Sequence, residues 1–588
     1  MNERTSTRGT QRGNVVELKH KWILYFGGTP GMFQRLAGRV HRGRGATRGA
    51  SAPSAPSPAS ESSFDWIARH DVEGAMSALQ SKFVNLLVID LRDTTRFEVL
   101  VDEARALLRH LDHEEDLERR YAFHRILVLF PDQGVSAHRV DSLMVEFGSL
   151  GVRHVLRQSP EIRGPFEAVV RQRALRIMTD KKEGKTAICA AGGGTTGIYF
   201  ELGVLKCLDD CLPGRGVNDF DLYFGISAGA VVASLVSVGY TIDEIMASIA
   251  GVDGGRIPPL TLSLLRLGHF NYDDFRWRGR MAVRRAARAL CTAIPSWGRS
   301  AANSPLLQYP SLLGPPFRSD EYERMLRILL EKPGATNDFR RLRNKLYVGA
   351  SDQDARRHVL FGSEGHDHVA ISRAVQASLS INPAFSSVPI GGRYYEDGAI
   401  TRTSNFVEAI NRNATLIIVV DPFVPYVSAR PGFARSRGAL YNIDQDIRTI
   451  TYSRFERTRN LVLRKNPDVS SYTLLPSNST RRILSVNPMD HRPFLDIWKG
   501  AYLSTLERVR GIGHRLRGDL ADHHMEFDTE RAEAIARQLA TTDDLSFADF
   551  FVDRRLEIET RPLCNERPSG VPRLQEADRR SLRRSAVR

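Results

Sequence analysis

The chain has 588 residues, 83 Lys and Arg against 68 Asp and Glu, a net charge of +15 and a pI near 9.7. That length exceeds one ordinary hydrophobic core and implies three or four domains. No stretch is apolar and long enough to span a bilayer, and the polar, basic start lacks the apolar segment of a secretory signal, so a cytoplasmic protein, peripheral at most on a membrane, is expected.

Cys189, Cys207, Cys211, Cys291 and Cys564 show no metal-ligand spacing and read as reduced thiols. No metal or cofactor is expected. Arginine-rich termini supply much of the positive surplus, so a nucleic-acid partner is not implied either.

Residues 1–14 read as a disordered basic arm. An α/β module is expected over 15–175, interrupted at 42–63 by a Ser/Ala/Pro-rich insertion. Trp22 to Phe26 is strand-like and ends at Gly27-Gly28; Met32 to Val40 suits a short helix. Beyond the insertion, helix is expected for Asp65 to Ser81, strand for Val84 to Asp90, helix for Phe97 to Leu111, strand for Arg125 to Phe130, helix for Ala137 to Leu150 and strand for Val152 to Leu156. Such alternation means a parallel, doubly wound sheet. Asn85 to Leu91 resembles the phosphoacceptor strand of a response-regulator receiver domain, and Gly151 to Ser159 that fold's last strand. The family's acidic pair is missing at Gly27-Gly28, and Arg157-Gln158 stand where Lys-Pro is usual. The resemblance therefore implies a receiver-like module without phosphotransfer, serving a regulatory partner; a plain α/β adaptor is the alternative.

Two glycine-rich turns follow. Thr186 to Ala191 is a buried-type strand, Gly192-Gly193-Gly194-Thr195-Thr196-Gly197 a tight turn, and Ile198 to Asp210 a helix. Leu222 to Phe224 then leads through Gly225-Ile226-Ser227-Ala228-Gly229 into a helix ending at Val238. Glycines two residues either side of a serine fit a nucleophile elbow, where backbones approach too closely for side chains. Gly192, Gly194 and Gly197 also satisfy a dinucleotide fingerprint, but that reading needs an acidic residue at the end of the next strand, where Ser227 stands. A serine nucleophile needs a base. His366 and His368 fall in a loop, while His491, His514, His523 and His524 have no strand-end context. Asp397, followed by Gly398 and Ala399, is the better placed acid.

These residues carry a resemblance to the patatin-like phospholipase family over about Lys185 to Pro425. Gly192 to Gly197 matches its oxyanion-hole motif, Gly225 to Gly229 its elbow, and Asp397-Gly398-Ala399 its D-G-[AG] motif. Leu346 to Asp352 resembles its central strand and Ala374 to Phe385 its small-residue segment. The resemblance implies a three-layer α/β/α domain over 185–425 with a mostly parallel sheet. It further implies a lipid acyl hydrolase of phospholipase or lysophospholipase type, in which Ser227 attacks, Asp397 accepts its proton and Gly192, Gly193 and Gly194 hold the oxyanion. Glycerolipid or phospholipid would be the substrate. Thr196 stands where the family often has Arg or Lys. An acyltransferase or thioesterase on the same site, or a catalytically silent signalling module, are the alternatives.

Between elbow and acid, 251–316 departs from the α/β rhythm and allows two readings: a lid insertion whose basic stretch 276–288 would meet a membrane surface, or an amphipathic helix packed on its own domain with its arginines in water. A mainly helical region is expected over 426–560 and a disordered basic tail over 561–588.

Overall fold

The computed structural model describes residues 21–37, 64–113, 121, 123–161, 165–179, 184–260, 270–293, 314–466, 468–487 and 489–564. The basic arm and the Ser/Ala/Pro-rich insertion lie outside these, as do 261–269 and 294–313 of the expected lid and the tail beyond Cys564. Two compact units result, Met1–Lys181 and Lys182–Arg588.

The first unit runs β1 (Lys21–Gly27), α1 (Pro30–Ala37), β2 (Phe64–Arg69), α2 (Val72–Ser81), β3 (Val84–Asp90), α3 (Phe97–His113), β4 (Ile126–Phe130), α4 (Ala137–Ser149), β5 (His154–Arg157) and α5 (Phe166–Thr179). Its strands are all parallel in the order β2-β1-β3-β4-β5, one of the two common doubly wound orders. Leu87, Ile89 and Val128 pack against α2, α3 and α4 on one face, while Leu86, Val88 and Leu127 pack against α1 and α5 on the other. The helix expected from Asp65 is corrected: Phe64–Arg69 is a strand beside β1. Ile67 turns to one face and Trp66 and Ala68 to the other, so this segment alternates as an edge strand does. The helix begins only after Asp71, whose side chain accepts from the Gly74 amide.

Asp90, at the end of β3, is fully buried. Its carboxylate accepts from Tyr25 Oη at 2.7 Å and from Arg92 at Nε (2.9 Å) and Nη2 (2.7 Å). Arg92 in turn lies 3.7 Å from Glu167 of α5, with its guanidinium over the Phe166 ring. A side chain at Gly28 would collide with the Tyr25 hydroxyl, 2.0 Å from an added Cβ, which accounts for glycine where the receiver family carries acid. Removing one partner of a buried ion pair leaves a bare charge in low dielectric. Arg92→Ala is therefore expected to cost about 3 kcal/mol, read as an earlier denaturant transition of the full chain.

The second unit contains β6 (Lys185–Ala190), α6 (Gly194–Asp210), β7 (Leu222–Ile226), α7 (Ala228–Val238), α8 (Ile242–Ala250), α9 (Tyr272–Ala293), α10 (Asp320–Leu330), β8 (Lys345–Asp352), β9 (Arg357–Phe361), α11 (Ile371–Ser378), β10 (Val388–Ile390), β11 (Arg393–Asp397), α12 (Phe406–Asn411), β12 (Ala414–Val420), α13 (Ala439–Lys465), β13 (Ser470–Leu474), α14 (Asn478–Val486), α15 (Phe494–Asp522) and α16 (Glu530–Thr541). The sheet order is β10-β11-β8-β7-β6-β12-β13, with β9 also on β8. From β8 to β13 the strands are parallel; β9 and β11 run antiparallel to β8. Alternating residues of β6 and β12 face opposite cores. Ile188 and Ile418 meet α6, α7 and α15, whereas Ala187, Ile417 and Val419 meet α12 and α13, giving three layers.

The helical region beyond 425 belongs to this unit. It supplies the edge strand β13, and α15 lies so close along α6 that a Cβ on Gly203 would come within 2.7 Å of Ala501 Cβ. A buried polar pair joins the two helices, Tyr502 Oη donating to Asp210 at 2.8 Å, while Lys206 Nζ on α6 lies 3.1 Å from Asp210 and 3.0 Å from Asp243 of α8.

Candidate active site

Three strand ends meet here. β7 ends at Ile226, and the chain turns into α7 through Ser227 at φ 53° and ψ −122°. A non-glycine residue in that region is strained and persists only when its surroundings fix it. They do so through the flanking glycines: an added Cβ would lie 2.4 Å from Ala230 Cα at Gly225, and 2.4 Å from the Ala190 carbonyl at Gly229. Both positions of the elbow motif are thus dictated by backbone approach. The Ser227 amide donates to Ser378 Oγ at 2.8 Å, and that hydroxyl donates to the Gly349 carbonyl at 2.6 Å.

The register of β8 brings the acid to the serine. Ile226, the last residue of β7, is opposite Gly349, and Asp397, the last residue of β11, is opposite the next residue, Ala350. β9 pairs β8 over Val348 to Asp352 and so fills the other edge, leaving β7 and β11 end to end along one side of β8. They run in opposite senses, so the chain leaving each strand emerges at the junction. Gly398 is forced by the same crowding, since a Cβ there would lie 2.4 Å from the Gly349 carbonyl oxygen.

Asp397 is almost fully buried. Its carboxylate accepts from the Ala399 amide at 2.8 Å. Burial pushes its pKa up to about 7, and the Ala399 amide and the neighbouring Ser227 hydroxyl only partly oppose that. The next carboxylate, Glu396, points elsewhere, to Arg356 at 3.2 Å and Asn382 at 2.6 Å.

The glycine turn closes the site on a third side. A Cβ on Gly192 would lie 3.2 Å from Ser227 Cβ, and one on Gly193 2.8 Å from Pro422 Cγ. Gly194 opens α6 at φ 67°, so the amides of Gly192, Gly193 and Gly194 stand at a helix N-terminus, where first-turn N–H groups have no intrahelical acceptor and favour negative charge. Thr195 and Thr196 are buried. Thr196 turns its hydroxyl to the Gly193 carbonyl at 3.4 Å, a Cβ added at Gly197 would lie 3.4 Å from Ala228 Cβ, and Ile226 and Ala228 are fully buried. A glycine turn at a helix N-terminus, a strained serine and a buried carboxyl thus converge at one junction of the sheet.

Residues 188–410 match the family model for patatin-like phospholipase, and this segment holds all three motifs. A stretch of 56 residues is 46% identical to the cUMP-AMP-activated phospholipase of Escherichia coli, covering 10% of this chain and 17% of that protein's length. Two solved structures are similar at low scores. VipD of Legionella pneumophila is 16% identical, with a TM-score of 0.28 over 60% of this chain and 74% of that one. ExoU, solved with SpcU from the type III secretion system of Pseudomonas aeruginosa, is 14% identical, with a TM-score of 0.22 over 57% and 60%.

The sequence did not single out two supporting residues. Ser378 is hidden in the small-residue run before the acid. His358 lies on β9, its Nδ1 2.9 Å from Thr401 Oγ1 and its Nε2 2.9 Å from Asn405 Oδ1. Thr401 meets Ser351 Oγ at 2.9 Å, and Ser351 donates to the Asp397 carbonyl. Burial pushes the imidazole down to about 4, so a neutral histidine braces the acid's turn instead of serving the serine. Of the histidines weighed from sequence, His523 bonds Thr415 Oγ1, at the far side of the sheet.

Ser378 carries the link between the elbow and β8. Ser378→Ala is expected to lower kcat about tenfold at nearly unchanged KM, with thermal unfolding close to wild type and Ser378→Thr restoring part of the loss.

Proposed function

We propose that the second unit is a lipid acyl hydrolase cleaving carboxylic esters of glycerolipids, of phospholipase or lysophospholipase type. Asp397 takes the proton of Ser227, whose oxygen attacks the ester carbonyl; the carbonyl π electrons move to the oxyanion, which the amides of Gly192, Gly193 and Gly194 receive. Collapse expels the alcohol, which takes a proton, leaving an acyl-enzyme on Ser227 that water hydrolyses to a fatty acid. The observation that supports this reading is the consecutive pairing of Ile226 and Asp397 with Gly349 and Ala350, which brings the ends of β7 and β11 together at Ser227 and Asp397. With a carboxylate as base no histidine is required, and the raised pKa of Asp397 brings its basicity closer to what proton transfer from a hydroxyl needs.

Thr196, in place of the family's frequent basic residue, leaves the backbone donors intact, so the charge on the oxyanion is met by amide dipoles. α9 is the proposed lid. It exposes Phe275, Trp277 and Val283 among arginines. Its foot reaches the acid's own segment through the rings of Phe270, Phe317 and Phe385, with centroids 6.5 and 6.1 Å apart in turn.

The first unit, with Asp90 sealed by Arg92 and Tyr25, is proposed to serve a regulatory partner without phosphotransfer. Acetyl phosphate is expected to leave the protein's intact mass and turnover unchanged, and a phosphorylated Asp90 would overturn that reading.

Ser227→Ala and Asp397→Asn are each expected to lower ester turnover by at least about a thousandfold; wild-type rates in either would remove the assignment. A general base works deprotonated, so kcat/KM should rise with pH to a plateau above about 7, the value to which burial moves Asp397. The stability effect has the opposite sense. A carboxyl whose folded pKa is raised holds its proton more tightly when folded, so its contribution is present below the unfolded value of about 4 and lost as pH rises through about 7. Asp397→Asn should therefore raise thermal stability at pH 8 and change it little at pH 4.

A further inference from the structure

The chain leaving the oxyanion side of the site builds a surface that the catalytic reading does not use. Pro422 packs on Gly193, and from there to Ile443 the sequence holds Arg430, Arg435 and Arg437 and no Asp or Glu. This segment is clamped. The Tyr426 amide donates to Gln445 of α13 at 2.8 Å, Val427 exchanges hydrogen bonds with Asn478 at 3.1 and 2.8 Å, and the rings of Tyr426, Phe433 and Tyr441 follow one another at 5.4 and 6.1 Å. Beneath it, buried Arg448 stacks 4.4 Å from Phe423 and binds Asp444.

The surface so held is apolar where solvent meets it. Ile443, Ile447 and Ile450 are 54%, 43% and 66% exposed, and Val427 63%. The isoleucines sit at i, i+4 and i+7 of α13, so they form a single stripe. A neighbouring face of the helix carries the buried Arg448, Thr451 and Phe455. One turn beyond Ile450, Arg454 donates to the carbonyls of Ala399 and Ile400 at 3.2 and 3.1 Å, which joins the stripe to the turn after Asp397. Asp446 and Glu456 are the carboxylates on this side of α13, and Glu456 is held by the Tyr452 hydroxyl at 2.6 Å.

We propose that this surface, the 422–443 segment with the isoleucine stripe of α13, seats the protein on an anionic bilayer; this rests on the lipid-hydrolase reading and adds how the site reaches its substrate. An apolar stripe bordered by arginines on a rigid base has the chemistry of an interfacial helix, in which the side chains enter the acyl boundary and the guanidinium groups meet lipid phosphate. Charge favours that occupant: the acid-free 422–443 run with its three arginines outweighs Asp446 on the stripe side and matches a negative surface. The stripe is continuous with both walls of the site, through Pro422 to Gly193 and through Arg454 to the Asp397 turn. Docking there would present the elbow to lipid without the chain having to rearrange.

The test is co-sedimentation of the full chain with phosphatidylcholine vesicles, with and without phosphatidylserine. Wild type is expected to bind the anionic vesicles. One variant carries Ile443→Ser, Ile447→Ser and Ile450→Ser together; a second carries Arg430→Glu, Arg435→Glu and Arg437→Glu. The first should lose about tenfold or more in vesicle affinity, and the second should lose the preference for phosphatidylserine. A third variant, Trp277→Ser on α9, should keep most of the binding. Wild type that ignores vesicles, isoleucine and arginine variants that bind like wild type, or a wild-type dimer that the isoleucine variant dissolves with vesicle binding unchanged would each overturn the proposal, the last by making the stripe a contact between copies. Turnover of a water-soluble short-chain ester, with Ser227→Ala as its control, reads the hydrolase assignment separately: loss of that assignment leaves the sedimentation result standing, and the reverse.

Discussion

One peptide unit on β8 holds the second unit's site together. Gly349 pairs with the end of β7, its carbonyl takes the Ser378 hydroxyl that anchors the Ser227 amide, and the residue after it pairs with Asp397. It must be glycine, because a Cβ would meet Asn405 Nδ2 at 2.8 Å and His358 Cε1 at 2.9 Å. Through those neighbours the same point supports the hydrogen-bonded chain that ends on the Asp397 carbonyl. Serine and carboxyl are placed by strand pairing, the least deformable element available, and not by loops.

Two costs are carried at this junction. Ser227 sits in a strained backbone region, and Asp397 is buried, which raises its pKa. Both are tolerated because a large, close-packed body surrounds them: α6 and α7 are buried on almost every face, and α15 packs backbone to backbone on α6 at Gly203. A carboxyl in such a place is a stronger base than one in water, and a hydroxyl on a helix N-terminus loses its proton more readily than one elsewhere. The neutral His358 belongs to this economy as a brace, its ring nitrogens both engaged.

The parts readable from sequence were those where backbone geometry leaves a residue no choice. Gly225, Gly229, Gly193 and Gly398 each lie within 2.8 Å of a foreign heavy atom once a Cβ is added, so these glycines mark the turns directly. Periodicity also sufficed for most of the doubly wound unit. It failed at Phe64–Arg69, whose apolar residues continue in helical spacing into α2 and conceal an edge strand. Ser378 and His358 were not legible because their role depends on side-chain direction across distant elements, which a one-dimensional pattern does not record. Within α6 the charged Glu201, Lys206 and Asp210 are all buried, which their residue types alone do not announce. Beyond 425, β13 pairs with β12 and extends the sheet at its edge.

Because the residues that hold Ser227 and Asp397 in place come from β8, β9 and α11, the chain between α7 and β8 supplies none of the groups at the junction itself. It spans α8, α9 and α10, more than a hundred residues if counted at about 1.5 Å per residue of helix as a path far longer than the gap it bridges. Such a tether is free to lengthen, shorten or change character over generations while the reacting atoms stay where they are. Divergence in what this scaffold accepts would then be written in that loop, and the arithmetic of bond-making would be inherited intact.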